Sequence, residues 1–198
     1  EDELANCTEI YNRYKSEINT GAVEVSKEIV GGDIDTKHTT ASAGDTVTFK
    51  LTASVTGSKE VPLTEYTIHD NLSDSFRDPA VTEVMVGSTK LQEGTDYTVD
   101  KTNLSDIQSS LTSDYIANAK KAEGEEGSND FYASSDVVVT LTAVLKDTAV
   151  SGNTATDNSN SDSLTYTNTY GQTSKPGDDT VYVYTFDLPV FKYDGTTD

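Results

Sequence analysis

Thr46-Val47-Thr48-Phe49-Lys50-Leu51-Thr52-Ala53-Ser54-Val55 alternates apolar and polar side chains without a break. Successive side chains of an extended chain point to opposite faces. Val47, Phe49, Leu51, Ala53 and Val55 therefore share one face, and Thr48, Lys50, Thr52 and Ser54 the other. The stretch reads as a half-buried β-strand, introduced by the turn pair Gly44-Asp45. The same period of two recurs on either side. Val23, Val25, Lys27 and Ile29 share a face before Gly31-Gly32-Asp33. Tyr66, Ile68 and Asp70 share one within Glu65–Asp70, and Val81–Val86 and Tyr97–Val99 follow. Asp136–Leu145 puts Val137, Val139, Leu141, Ala143 and Leu145 together. In Leu164–Tyr170 the inward parity is Leu164, Tyr166, Asn168 and Tyr170; in Thr180–Tyr193 it runs from Tyr182 to Lys192. About eight strands at this spacing, without alternating helices, predict an all-β, antiparallel sandwich.

Two segments follow a helical period instead. Leu4, Cys7, Ile10, Tyr11, Tyr14 and Ile18 predict a short amphipathic helix over 3–18. Leu104, Ile107, Leu111, Tyr115, Ile116 and Ala119 predict a helical insertion over about 103–122, followed by an acidic, Gly-rich loop at Glu123–Asp130. The polar run Ser151–Ser163 reads as a loop.

The 198 residues carry 34 acidic and 14 basic side chains, a net charge of −20. Phosphate binding needs Lys and Arg in excess, so nucleic acid and anionic membrane surfaces are excluded as partners. No run reaches transmembrane length and the start lacks a signal-peptide pattern, so the chain is expected to be soluble, with any export signal or anchor outside it. Cys7, the only cysteine, permits no internal disulfide or thiolate metal site and is expected to be buried on the helix. His38 and His69 are too few for a multi-histidine centre. His69 and its neighbour Asp70 point to opposite faces, which removes them as a catalytic pair. Asp157-Asn158-Ser159-Asn160-Ser161-Asp162 spaces oxygen ligands as a calcium loop does, but lacks the Gly and distal Glu of an EF-hand. A solvated acidic loop is the expectation there, and no cofactor is expected. With no GxSxG, HExxH, GxGxxG or P-loop, nothing reads as a conventional enzyme.

Three strands place a polar residue where the period calls for an apolar one: Lys27, Asp70 and Asn168. Each alone reads as a strand end reaching water. Together they are complementary. Burial favours a neutral, nucleophilic lysine amine and a protonated carboxyl, while an asparagine carboxamide offers an electrophilic carbon and ammonia as leaving group. Such a trio suffices for one turnover: Lys27 attacks Asn168 Cγ, Asp70 carries the proton, and a Lys–Asn isopeptide bond results.

The ordered stretches Gly44-Asp45-Thr46-Val47-Thr48-Phe49, Tyr66-Thr67-Ile68-His69-Asp70-Asn71-Leu72, Gly94-Thr95-Asp96-Tyr97-Thr98-Val99, Leu164-Thr165-Tyr166-Thr167-Asn168 and Asp179–Phe186 carry a resemblance. Over roughly 23–195 the chain resembles the fimbrial isopeptide-formation domain of Gram-positive sortase-assembled pilins, which is similar to the CnaA-type fold. The resemblance implies an Ig-like sandwich, with Lys27 and Asn168 as the cross-linked pair and Asp70 as general acid and base. It also implies a cell-surface, cell-wall location and neighbouring pilin domains or subunits, joined by sortase, as partners. The expected division is a helical linker at 1–22, the isopeptide-forming domain at 23–178, and a final strand at 179–198 leading into a following domain. Lys192 in that strand resembles the opening lysine of such a domain. The alternative function is an adhesin domain gripping host glycan or protein, which requires a concave or aromatic-lined surface at 103–132.

Overall fold

The computed structural model describes residues 4–11, 23–149, 156–175 and 177–185. Residues 4–11 are helical (α1). Twelve strands follow: β1 (Val25–Ile29), β2 (His38–Thr40), β3 (Thr46–Ser54), β4 (Leu63–Leu72), β5 (Phe76–Val86), β6 (Thr89–Lys90), β7 (Tyr97–Asp100), β8 (Ile107–Leu111), β9 (Asp136–Leu145), β10 (Thr156–Asn168), β11 (Thr173–Ser174) and β12 (Asp179–Thr185). They form two sheets, one in the order β1-β3-β9-β5-β6 and the other β2-β12-β10-β4-β8-β7, with β11 beside β10. All pairings are antiparallel except β2 with β12. The sandwich is thus the expected one. It includes β12, which lies between β10 and β2.

Period-two alternation becomes burial directly. β9 is buried at every second residue, from Val137 to Leu145, and β3 likewise from Val47 to Ala53. Phe49 on β3 and Phe76 on β5, both flanking β9 in one sheet, meet edge to face in the core, ring centroids 5.6 Å apart. Tyr66, Tyr115 and Tyr132 surround the wholly buried Phe131 in the same edge-on manner.

The insertion at 103–122 differs from its expected form. Only Ser113–Asn118 is α-helix (α2), capped by the Thr112 hydroxyl, which accepts from Tyr115 N–H. Leu104–Asp106 is a single 3-10 turn, and Ile107–Leu111 is strand β8, paired with β4 and β7. Ile107 and Leu111, read as helical neighbours, flank the inward Ser109 on one strand face. That small polar residue breaks the apolar alternation and leaves a spacing of four. The loop expected at 151–163 is, from Thr156 on, the start of β10. Cys7 is exposed, not buried, and Leu4, Ile10 and Tyr11 are exposed with it. Residues 12–18 of the expected helix and residues 186–198, with Lys192, lie outside the described residues. Among the described residues no helix is long and apolar enough to cross a membrane.

Phe131→Ala should lower the unfolding free energy by about 3–5 kcal/mol, since it empties a filled aromatic cluster. A urea midpoint unchanged from wild type would show that cluster to be dispensable.

Candidate functional site

Among the described residues β1 is an edge strand, paired only with β3, and Lys27 stands opposite Leu51. Its side chain crosses to the second sheet over the ring of Phe49, 5.7 Å from the centroid, and is 0% exposed. There Nζ donates to Asp70 Oδ2 at 2.5 Å and, more weakly, to Ser161 O at 3.4 Å. Asp70, on β4, is buried as well. The structure therefore brings together two of the three residues singled out by the sequence.

It does not bring the third. Asn168 ends β10, opposite Leu63, just past a register shift. Its Oδ1 accepts from the backbone N–H of Tyr170 and Gln172, and its Nδ2 donates to Gln172 Oε1 at 2.8 Å. Asn168 shapes the turn toward β11, with Gly171 in the left-handed region at φ 73°. The residue in its place is Asn160. It is wholly buried, and its Nδ2 donates to Asp70 Oδ2 at 3.5 Å, the same oxygen that holds the Lys27 amine. Along the strand Asn160 and Asn168 are about 26 Å apart at 3.3 Å per residue, so Lys27 cannot serve both.

The signal for Asn160 was present. Asn158, Asn160 and Asp162 continue the inward parity of Leu164 and Tyr166, and all three are buried. Because no apolar residue marks that parity, the run imitates a loop. As a strand, 157–162 sends alternate side chains to opposite faces, so its oxygens do not wrap one ion as a calcium loop would.

Asp162 is a further group that sequence reading missed. It faces Asp70 directly across the β10–β4 ladder, and its Oδ1 accepts from Asp179 N–H at 3.3 Å. Burial pushes its pKa up to about 6, with the nearby Lys27 charge acting the other way. Burial likewise lowers the Lys27 pKa and raises that of Asp70, against their mutual attraction. Desolvation thus favours moving the proton from Nζ to Asp70, leaving an uncharged amine beside an uncharged acid. The buried Oδ1 atoms of Asp70 and Asn160 have no hydrogen-bond partner among the described residues. The arrangement can add the Nζ lone pair to Asn160 Cγ, with Asp70, which touches both nitrogens, taking the amine proton and passing one to the departing nitrogen. One C–N bond forms, one breaks, and ammonia leaves.

The histidines stand apart from this site. His69 faces outward and pairs through Nδ1 with Asp106 Oδ1 at 2.7 Å, not with Asp70. His38 stacks on Tyr182 and Tyr184. At the insertion there is a concavity of about 400 Å³ lined by Leu91, Asp96, Tyr115, Asn118 and Asn129 among others. Its one aromatic ring, Tyr115, is only 7% exposed and offers no stacking face.

No family model and no curated protein matches the chain. Solved structures do match. BcpA, the major pilin subunit of Bacillus cereus, aligns with a TM-score of 0.62 at 10% identity, over 83% of this chain and 40% of that one. The chain shares its fold with this pilin subunit. The major pilin SpaD of Corynebacterium diphtheriae aligns with a TM-score of 0.59 at 21% identity, over 82% of this chain and 34% of its own. The N-terminal domain of the Streptococcus gordonii adhesin Sgo0707 aligns at 0.55 and 17% identity, over 82% and 32%. The chain spans less than half the length of each. At these identities only the fold is shared.

Asp162 gives a pH dependence of definite sign. Its folded pKa, about 6 against 3.8, is the raised one. The stability it contributes is full below about pH 4 and is lost as pH rises through about 6. Asp162→Asn should therefore gain stability relative to wild type between about pH 4 and pH 7, read as the difference in Tm at the two values. A difference that stays flat or falls would remove the buried charge from the account.

Proposed function

We propose that the chain is a structural module of a bacterial cell-surface pilus, locked by an intramolecular Lys27–Asn160 isopeptide bond that forms without an external enzyme. The observation that carries this reading is the single oxygen, Asp70 Oδ2, shared by the Lys27 amine and the Asn160 carboxamide inside the core. The general acid and base is Asp70, as the sequence suggested; the acceptor is Asn160 in place of Asn168. The pilin-type fold supports an extracellular, cell-wall location and neighbouring pilin domains or subunits, joined by sortase, as partners. The adhesin reading has the concavity it calls for at the insertion but no exposed aromatic ring there, and is the weaker of the two.

The cross-link closes the chain from residue 27 to residue 160. By analogy with the chain-entropy model for disulfides, such a loop stabilises the fold by roughly 5 kcal/mol. The purified chain should weigh one ammonia less than its sequence mass. Lys27→Ala, Asn160→Ala and Asp70→Ala should each restore the full mass, and Asn168→Ala should keep the shift. Peptide mapping that joins Lys27 to Asn168, or a wild-type chain at full mass, would overturn the assignment.

A further inference from the structure

The partners of Lys27's main chain differ from those of its side chain. In an antiparallel ladder alternate residues turn their N–H and C=O away from the partner strand. At Lys27 both groups are held by side chains from outside β1. Its N–H donates to Asp179 Oδ2 at 2.8 Å, and its carbonyl accepts from Lys37 Nζ at 2.5 Å. Lys37 Nζ also forms an ion pair with the same Asp179 Oδ2. The clamp is anchored to the second sheet on both sides. Lys37 O accepts from Tyr182 N–H on β12 at 2.8 Å, and Asp179 N–H reaches Asp162 Oδ1 on β10. Along this edge Ile29 N–H adds a bond to Thr36 O at 2.7 Å.

A continuous chain of hydrogen bonds thus runs from Lys27 N–H through Asp179 to Asp162, two residues from Asn160. Charged partners strengthen it. Burial alone would raise the Asp179 pKa, but hydrogen bonds from Lys37 and Lys27 N–H hold it below the usual carboxylate range. Among the described residues β1 has no strand on its outer side, so without the clamp the Lys27 peptide is free to shift along or away from β3. The long lysine side chain magnifies such a shift at Nζ.

From this geometry we infer that Lys37 and Asp179 are positioning residues for the cross-link, gripping the Lys27 peptide so that its amine is aimed at Asn160. The inference rests on the reading of the previous section. A misplacement of about 1 Å can cost a hundredfold in rate, so loss of the clamp acts on the reaction before it acts on the fold.

The test follows the loss of ammonia by intact mass as the full chain is made in a cell-free reaction. Wild type is compared with Asp179→Ala, Lys37→Met and Glu28→Gln. Glu28 lies on the same strand and pairs with Lys50 on the opposite face. Each change is also made in the Asp70→Ala background, where protease resistance reports folding without the reaction. Lys37→Met keeps the aliphatic stem and serves if Asp179→Ala folds poorly. Both clamp variants should react about tenfold or more slowly than wild type while folding at its pace, and Glu28→Gln should react normally. Clamp variants that react like wild type, or whose delay equals a delay in folding, overturn the positioning role. A wild-type chain that never loses ammonia overturns the cross-link itself, and the clamp's role with it.

Discussion

An ammonium group with no access to water, held by one carboxylate, is the constraint on which this sandwich turns. Taking both charges of the Lys27–Asp70 pair out of water costs several kcal/mol per ion, and their attraction returns that only with good geometry and further hydrogen bonds. The pair has the geometry, at 2.5 Å, but incomplete satisfaction, since Asp70 Oδ1 is buried without a hydrogen-bond partner among the described residues. A leucine at position 27 would serve the core better. What the lysine adds is reactivity: the desolvation that makes it a poor core residue also frees its lone pair.

The placement of the strands gives that reactivity a mechanical meaning. Among the described residues β1 is bound to the rest of the fold by one ladder, to β3, whereas β10 has β4 on one side and β12 on the other. In the proposed reaction the chain's first strand is joined to a central strand of the opposite sheet. Tension arriving at residue 25 would otherwise peel β1 from β3 bond by bond. A covalent link at Lys27 passes it into β10 after two residues, and an amide bond does not yield to forces that strip hydrogen bonds.

Much of this was legible in the sequence because burial follows parity. β3 and β9 alternate so regularly that their inward faces could be named residue by residue, and Lys27 and Asp70 stood out as polar exceptions on such faces. The same logic failed at β12, where Val181, Val183 and Thr185 face inward and not the expected parity of Tyr182, and twice at β10. Asn168 satisfies both parity and the Tyr-x-Asn pattern, yet it sits beyond a register shift and spends its carboxamide on a turn. Asn160 lies in a stretch where every inward residue is polar, so its strand gives no apolar signal. A polar core region looks like a loop until the partner strand is known. At Ile107–Leu111 one inward serine had a comparable effect and turned a strand into an apparent helix.

In the proposed reaction Asp162 bears on the balance between the unreacted and the cross-linked site. Two carboxyls face each other across the β10–β4 ladder with a single buried cation, Lys27, beside them. Ionising both leaves one negative charge uncompensated in the core, and protonating one leaves the cation a single counter-charge. The one unreacted state free of buried charge has the Lys27 proton on Asp70 and Asp162 protonated, and it is the state that holds the reactive amine. Amide formation removes the cation for good, and once ammonia has left neutral, both carboxyls can stay protonated with no net charge between the sheets. The attraction that had held the Asp162 pKa down disappears at the same moment, so its protonated form is favoured further. The proposed reaction would thus be favoured by the environment that assembles it: the same burial that creates the nucleophile disfavours every ionised state of the site, and the bond leaves none of them necessary.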